Sequence, residues 1–537
     1  MPEASRIVGI DLGTTNTLIA SVTNRVARVV PTDRGSLVIP SVVGVSERGE
    51  IVVGRAAKEQ MVTRPTMTIW GAKRLIGRKY DSKVVQKLKG YYPYEIVEGP
   101  NGDAAVRMGE KIYALPELIS LLLKEVKVMS EQFLGGPVNE AVVSVPAYYN
   151  DNQRTAVKDA GRLAGFDVKR IVNEPTAAAM AYGFNKGLDQ RVLVYDLGGG
   201  TFDVSVMHLT QNVFEVLASG GDTFLGGVDF DHRVVEFAKQ TFLKDTKIDL
   251  AESPIALQRL TSAAEAAKID LTLTPHVVID LRFVTERKGK PLDLRVPLSR
   301  EQLNALTSDL VERTFTICDA VLKDRGIPKE SIDEILLVGG QSRMPLVQQR
   351  IAEHFGKPPR KGVHPDECVA VGAALLADSL GRFDAATLID ALSMPIGYAV
   401  GTRVKKVIEK NTPIPALKSF RLPAPAPGAQ TIDVDVYQGD SDQLIDNEYL
   451  GTVRVPVSAQ GKRIDFKIDE ECILQVLVEQ DGKLEKVTLA TRDTPPELKR
   501  ALLAELEKDL ETQQQQQAPK QGGGMLQALR RMIRPAG

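Results

Sequence analysis

A carboxylate at the end of an apolar run, followed at once by glycines and hydroxyl residues, occurs twice in this chain, and the repetition constrains its fold more than any other feature. The first copy is IVGIDLGTTNTLIA, Ile7 to Ala20, and the second is VYDLGGGTFDVS, Val194 to Ser205. Each reads as strand, aspartate, Leu-Gly, hydroxyl-bearing turn and renewed strand. A polyphosphate needs backbone N–H groups presented in a concave turn, and only residues without a Cβ let the main chain come that close. Gly13, Thr14, Thr15 and Asn16 in the first copy, and Gly198, Gly199, Gly200 and Thr201 in the second, are the candidate cradles. Magnesium bound to phosphates takes one or two carboxylates, often through water, so Asp11, Asp196 and Asp203 are candidate anchors for a hydrated ion. Strand-to-turn glycines with an aspartate cap occur in any α/β fold, but two copies with matched flanks favour phosphate.

Up to about Asp384, short β-branched runs such as EAVVSVPA, RVLVYDLG and EILLVGGQ alternate with helical patterns such as DNQRTAVKDAGRLAG. That alternation predicts an α/β domain with largely parallel sheets, and the duplicated device predicts two related lobes with the site in the cleft between them. After ATLIDALSMP the texture changes to period two in QTIDVDVY, RIDFKID and ILQVLVEQDGKLEKVTL, with a tight turn at Asp481-Gly482. A small antiparallel β domain is expected there. Thr494-Pro-Pro-Glu497 is a capping-box start, and Leu498, Leu502, Leu506 and Leu510 follow at helical spacing. The expected organisation is an ATPase-like domain over residues 1–383, a linker over 384–395, a β-sandwich over 396–493, one helix over 494–511 and a low-complexity tail over 512–537. The tail carries the basic segment MLQALRRMIR, too short to be a stable helix alone and read as disordered ahead of a membrane or partner anchor.

Composition excludes several classes. Lys plus Arg count 68 against 69 Asp plus Glu, so no global field draws the chain to nucleic acid or a membrane. MPEASRIVGID lacks the basic and apolar regions of a secretory signal and no apolar run is long enough to span a bilayer, so the cytoplasm is the expected compartment. Cys318, Cys368 and Cys472 are odd in number and widely spaced, which predicts buried free thiols. There is no HExxH, Walker A or GxGxxG pattern, so some other loop must hold any phosphate.

The segments IDLGTTN, VPAYYNDNQR, VNEPTAAAMAYG, VYDLGGGTFDVS, GGDTFLGGVDFD, LVGGQSRMP and GKPPRKGVHPDECVAVGAA resemble, in order, the ATPase motifs of the seventy-kilodalton heat-shock chaperones. The resemblance is dense through the first 380 residues and looser after them. It implies a two-lobed actin-like ATPase domain, a duplicated ribonuclease-H-like fold, followed by a β-sandwich that binds substrate. It implies that Thr14, Thr15, Gly198, Gly199, Gly200 and Thr201 hold ATP or ADP phosphates, and that Asp11, Asp196 and Asp203 organise Mg²⁺ and the attacking water, with K⁺ as an accompanying ion. Lys73 matches the family's essential lysine and Glu174 a residue that positions water, completing a catalytic set of Lys73, Glu174, Asp196, Thr201 and Asp203. Glu265 and Lys268 match residues at the adenosine, with Gly227, Gly339, Gly340, Arg343 and Asp366 around it. As bare sequence, Lys73 would sit on a solvated helical face, and Glu265 and Lys268 would form an intrahelical ion pair.

The resemblance also implies slow hydrolysis coupled to transient binding of unfolded or client polypeptides in a stress-response chaperone. Leu388, Ile389 and Asp390 match the family linker, whose docking into the ATPase domain is the expected switch, and Pro146 and Arg154 match a nucleotide-sensing relay. Arg170, Asn173 and Thr176, with Asp390, match surface positions that meet a J-domain co-chaperone, and a nucleotide-exchange factor is a second implied partner. Two departures stand out. The loop LPAPAPGAQ is proline-rich, with Gln430 where an apolar pocket residue is usual, and a single helix replaces the long lid. An ATP-switched module dedicated to one protein partner is therefore the alternative, ahead of a small-molecule kinase on the same fold, for which no acceptor-binding block is evident.

Overall fold

The computed structural model describes residues 6–489 except 33–34, 363, 381–385, 423–424, 426, 460, 481 and 488, and in addition Ala504. The expected C-terminal helix and tail, and part of the LPAPAPGAQ loop, lie outside the described residues.

The duplicated device builds two sheets with one plan. In the first, β1 (Ile7–Leu12) runs antiparallel to β2 (Asn16–Thr23), which carries β3 (Val26–Val29) and the short β4 (Ile39–Pro40), while β5 (Glu140–Val145) and β6 (Asp167–Asn173) join parallel to β1. In the second, β7 (Leu188–Leu197) pairs antiparallel with β8 (Phe202–Gln211), followed by β9 (Val213–Asp222), and β10 (Glu334–Val338) lies parallel to β7. Strand order 5-1-2-3 in one lobe therefore repeats as 10-7-8-9 in the other. The sheets are mixed rather than largely parallel as expected, because each Gly-rich turn is a hairpin that sends the next strand back antiparallel. The near-continuous Val, Ile and Leu runs of the central strands are buried on both faces, as helix-covered sheets require.

Helices fill the space around these sheets: α1 (Leu115–Leu134), α2 (Asp151–Leu163), α3 (Glu174–Gly183), α4 (Gly227–Thr246), α5 (Pro254–Asp270), α6 (Arg300–Asp324) and α7 (Cys368–Ser379). Where α3 and α7 cross between the lobes, a Cβ on Gly372 would stand 1.7 Å from the Ala177 carbonyl oxygen, so only glycine lets the two backbones meet. All three cysteines are free and buried. Among the described residues no helix is long and apolar enough to cross a membrane.

The period-two region forms two four-stranded antiparallel sheets. One has the order β13 (Arg403–Ile408), β12 (Ile396–Val400), β15 (Thr431–Gln438), β16 (Glu448–Pro456); the other has β14 (Ala416–Arg421), β17 (Arg463–Ile468), β18 (Leu474–Gln480), β19 (Lys483–Val487). Their facing apolar residues, among them Ile396, Ile432, Val453, Ile464 and Phe466, make one core.

Between the lobes and this sandwich, Thr387–Ile389 forms strand β11, which pairs parallel with β9 through Phe214↔Leu388 and extends the second sheet. The sandwich docks on both lobes. Glu448 pairs with Arg78 at 2.8 Å, Asp440 accepts from the Tyr148 hydroxyl at 2.5 Å, Asp151 Oδ1 accepts the Leu474 N–H at 2.7 Å, and Lys410 pairs with Asp324 at 3.0 Å.

Candidate nucleotide site

The two Gly-rich turns face one another, and their approach requires glycine: a Cβ on Gly199 would stand 2.1 Å from Thr15 Oγ1. Between them opens a cavity of about 600 Å³ lined at the turns by Asp11, Gly13, Thr14, Thr15, Asn16, Lys73, Glu174, Asp196, Gly198, Gly199 and Thr201. Its far end is lined by Gly227, Glu265, Lys268, Gly339, Gly340, Arg343 and Asp366. Of the nucleotide-site residues expected from the sequence, only Gly200 and Asp203 do not line it. Asp203 lies just behind, paired across the β7–β8 hairpin with Asp196, and the Gly200 carbonyl turns away to accept from Arg74 Nη2 at 3.0 Å.

Three expectations need correction. Lys73 does not lie on a solvated helical face: it sits in a 3₁₀ turn, is 5% exposed, and its Nζ donates to Glu174 Oε1 at 2.5 Å. Glu265 and Lys268 do not pair with each other. Lys268 donates to the Gly227 carbonyl at 3.0 Å and pairs with Asp231 at 2.8 Å, while Glu265 faces Lys58 across the cleft at 3.9 Å, because α5 lies against α4 and the first lobe. Asn173 and Thr176 are not surface residues: both are buried, Asn173 accepting from Arg154 at 2.9 Å and Thr176 donating to Asp390 at 2.9 Å. Arg170 is half-buried and faces Glu470 of the sandwich at 3.5 Å.

The electrostatics of the cavity are those of a site short of positive charge. Burial, then the neighbouring Glu174, pushes the Asp11 carboxyl up to about 7 and the Asp203 carboxyl up to about 7, and raises Asp196 well above the usual carboxylate range. Burial opposes the Lys73 ammonium, but Glu174, Tyr149 and Asp11 outweigh it and keep the group protonated above its ordinary range. Asp203 Oδ1 accepts the Tyr148 N–H at 3.0 Å, whereas its buried Oδ2 has no hydrogen-bond partner. Both features fit a cation drawn to this end of the cavity. Among the described residues no three carboxylate, imidazole or thiol groups converge as a metal cage, so magnesium here would depend on water and phosphate oxygens for its remaining positions.

Sequence reasoning missed the supports. Arg74, fully buried, bridges the Gly200 carbonyl and Asp229 at 2.5 Å, tying the second turn to the start of α4. Tyr149 donates to the Lys73 carbonyl at 2.6 Å, and Ser144 to Asp11 at 3.1 Å. Asp231 pairs with Lys268, and its carboxyl is pushed up to about 6 by burial. The one available signal was adjacency: Arg74 follows Lys73, and Asp231 lies within the GGVDFD segment.

One loop joins the carboxylate behind the cavity to the sandwich. Arg154 holds it by donating to the Tyr149 and Ala147 carbonyls at 3.0 Å each. From that loop the Tyr148 N–H reaches Asp203 and the Tyr148 hydroxyl reaches Asp440, while Ser393 donates to the Ala147 carbonyl at 2.7 Å. A family model described as Hsp70 protein matches residues 7–523 of the 537. Members of that family are ATP-dependent chaperones and ATPases that bind ATP or ADP with Mg²⁺. Spanning nearly the whole sequence, the match shows that this chain belongs to the Hsp70 family.

Proposed function

We propose that this chain hydrolyses ATP slowly in the interlobe cavity and uses the nucleotide state to set how the β-sandwich docks and binds client polypeptide. The observation that carries the reading is the single cavity collecting both Gly-rich turns, Lys73, Glu174 and the nucleoside-side residues of the second lobe. Magnesium, when bound, would neutralise phosphate charge, with Asp11, Asp196 and Asp203 holding its water shell. Lys73, kept protonated by Glu174, meets the charge of the γ-phosphoryl, and Glu174 orients the attacking water. Backbone N–H groups of Thr14, Thr15, Gly199 and Thr201 would cradle the chain of phosphates, while the Gly198 N–H closes the second turn on the Thr201 carbonyl at 3.1 Å. Lys268, Glu265 and the Arg343–Asp366 pair, 2.6 Å apart, serve the sugar and base. With Glu174 engaged by Lys73 and the raised carboxyls of Asp11 and Asp203 given to the metal's water shell, little basic capacity is left to the attacking water, which suits a timer better than a metabolic catalyst.

The Pro146–Asn150 loop supports coupling, because a shift of Asp203 on nucleotide binding would move Tyr148 and with it the Asp440 contact. For a J-domain partner, Arg170 is the reachable member of the expected surface in this arrangement, and such a partner would compete with Glu470 for it. The test is calorimetric titration of Mg-ATP and Mg-ADP, with single-turnover hydrolysis by the parent chain and Lys73→Ala. Binding with slow turnover that the substitution abolishes supports the reading; equal turnover by the two proteins contradicts it.

A further inference from the structure

The two sheets of the sandwich segregate charge in a way that names a substrate class. Strand register puts Arg403 on the same face as Val400, and Lys405 on the same face as Tyr398, whose ring packs into the inter-sheet core. Opposite them, Lys418 lies beside buried Phe466 on the inner face of the second sheet. Arg403, Lys405 and Lys418 are thus inward-directed yet exposed, at the mouth between β13 and β14, and none makes an ion pair among the described residues. The acids on the strands beside these cations face the other way, and the inward-facing Glu485 lies on β19, at the opposite edge of its sheet from β14. Asp433 alternates with inner Ile432 and Val434 and is held outside by Arg454 at 2.7 Å, Asp435 accepts from Thr452 on that same side, and Asp465 is clasped by Arg463 at 2.6 Å.

Between these cations the floor is aromatic. Tyr398 stacks on Phe420 at 4.7 Å, Phe420 meets Phe466 edge-on at 5.2 Å, and Val400 is 54% exposed at the rim. One wall is a strand edge: among the described residues β14 pairs only with β17. The Leu422 N–H points inward to the Lys462 carbonyl at 3.0 Å, so by alternation the backbone groups of Leu417, Ser419 and Arg421 point away from the sheet.

We propose that this cleft takes an extended polypeptide segment that carries acidic residues, its main chain added to the edge of β14 and its carboxylates paired with Arg403, Lys405 and Lys418. The inference rests on the client-binding reading above and adds a charge preference to it. A backbone edge selects polypeptide over nucleic acid, and unpaired cations at the mouth disfavour basic clients.

The test uses the full chain and short fluorescent peptides sharing one apolar centre, flanked by acidic, neutral or lysine residues, read by anisotropy at low and high salt. The acidic peptide should bind about tenfold more tightly than the lysine-flanked one at low salt, the summed effect of three partly exposed pairs, with the gap shrinking as salt rises. Lys405→Glu with Lys418→Glu should invert the order, and the Lys→Arg pair should preserve it. Equal or reversed affinities for the parent chain overturn the charge preference and leave client binding standing. No binding of any peptide overturns both. Tighter binding of a thymidine oligonucleotide than of the acidic peptide overturns the polypeptide assignment.

Discussion

Replacing Thr176 by valine keeps the volume of a fully buried side chain but removes the hydroxyl that donates to Asp390 at 2.9 Å. Asp390 is itself buried, and it directly follows the three residues that add β11 to the second sheet. A hydrogen bond to a charged group contributes about 1.5–3 kcal/mol, and its loss here leaves a buried carboxylate under-satisfied. Because that contact exists only while the linker is docked, the docked-to-undocked ratio should fall about ten- to a hundredfold. Hydrogen exchange measures this directly: with saturating Mg-ATP, amides of the segment containing Leu388 and Ile389 should lose one to two decades of protection, while those of β7 and β8 stay protected. Unchanged protection in a folded Thr176→Val chain would refute the claim that this bond holds the linker.

Other outcomes follow from the same geometry. Gly199→Ala drives a Cβ into Thr15 and should weaken ATP binding by about tenfold or more in calorimetry, with secondary structure by dichroism unchanged. Gly372→Ala forces backbone apart at the α3–α7 crossing and should destabilise the ATPase lobes by about 1–3 kcal/mol, seen as a lowered melting temperature. The Asp11 and Asp203 carboxyls, both raised to about 7, favour the folded protein fully only below the ordinary carboxylate range, and that contribution is lost as pH rises through about 7. Melting temperature in chelator should therefore decline from about pH 5 to 8, and the decline should be shallower in Asp203→Asn. Arg78→Ala removes the 2.8 Å pair to Glu448 and should raise proteolytic access to the sandwich interface by about two- to fivefold without changing ATP affinity.

Local pattern carried the parts of the fold that are local. The repeated Asp-Leu-Gly turn foretold two sheets of one topology, and period-two alternation foretold the sandwich core, because burial of alternate residues is written into a single strand. What stayed hidden depends on partners far along the chain. The Lys73–Glu174 pair joins residues 101 positions apart, so a basic segment that looks solvated is in fact the wall of a cavity. Thr176 and Asp390 meet across 214 positions, and nothing in PTAAAMAYG signals that its threonine faces the linker rather than solvent. Arg74 was passed over because its role, bridging Gly200 and Asp229, needs the second lobe to exist first. The family resemblance implies nucleotide-site roles for Lys73, Glu265 and Lys268, and all three line the cavity, whereas spacing alone assigns them blander partners.

The central claim is that one cavity's chemistry is read out by the sandwich. Single-turnover ATP hydrolysis by the purified chain, with and without an apolar-centred peptide and a general J-domain protein, tests it most directly. Slow turnover accelerated by both additions is the predicted result. Hydrolysis at one rate whether or not either is present would contradict the coupling.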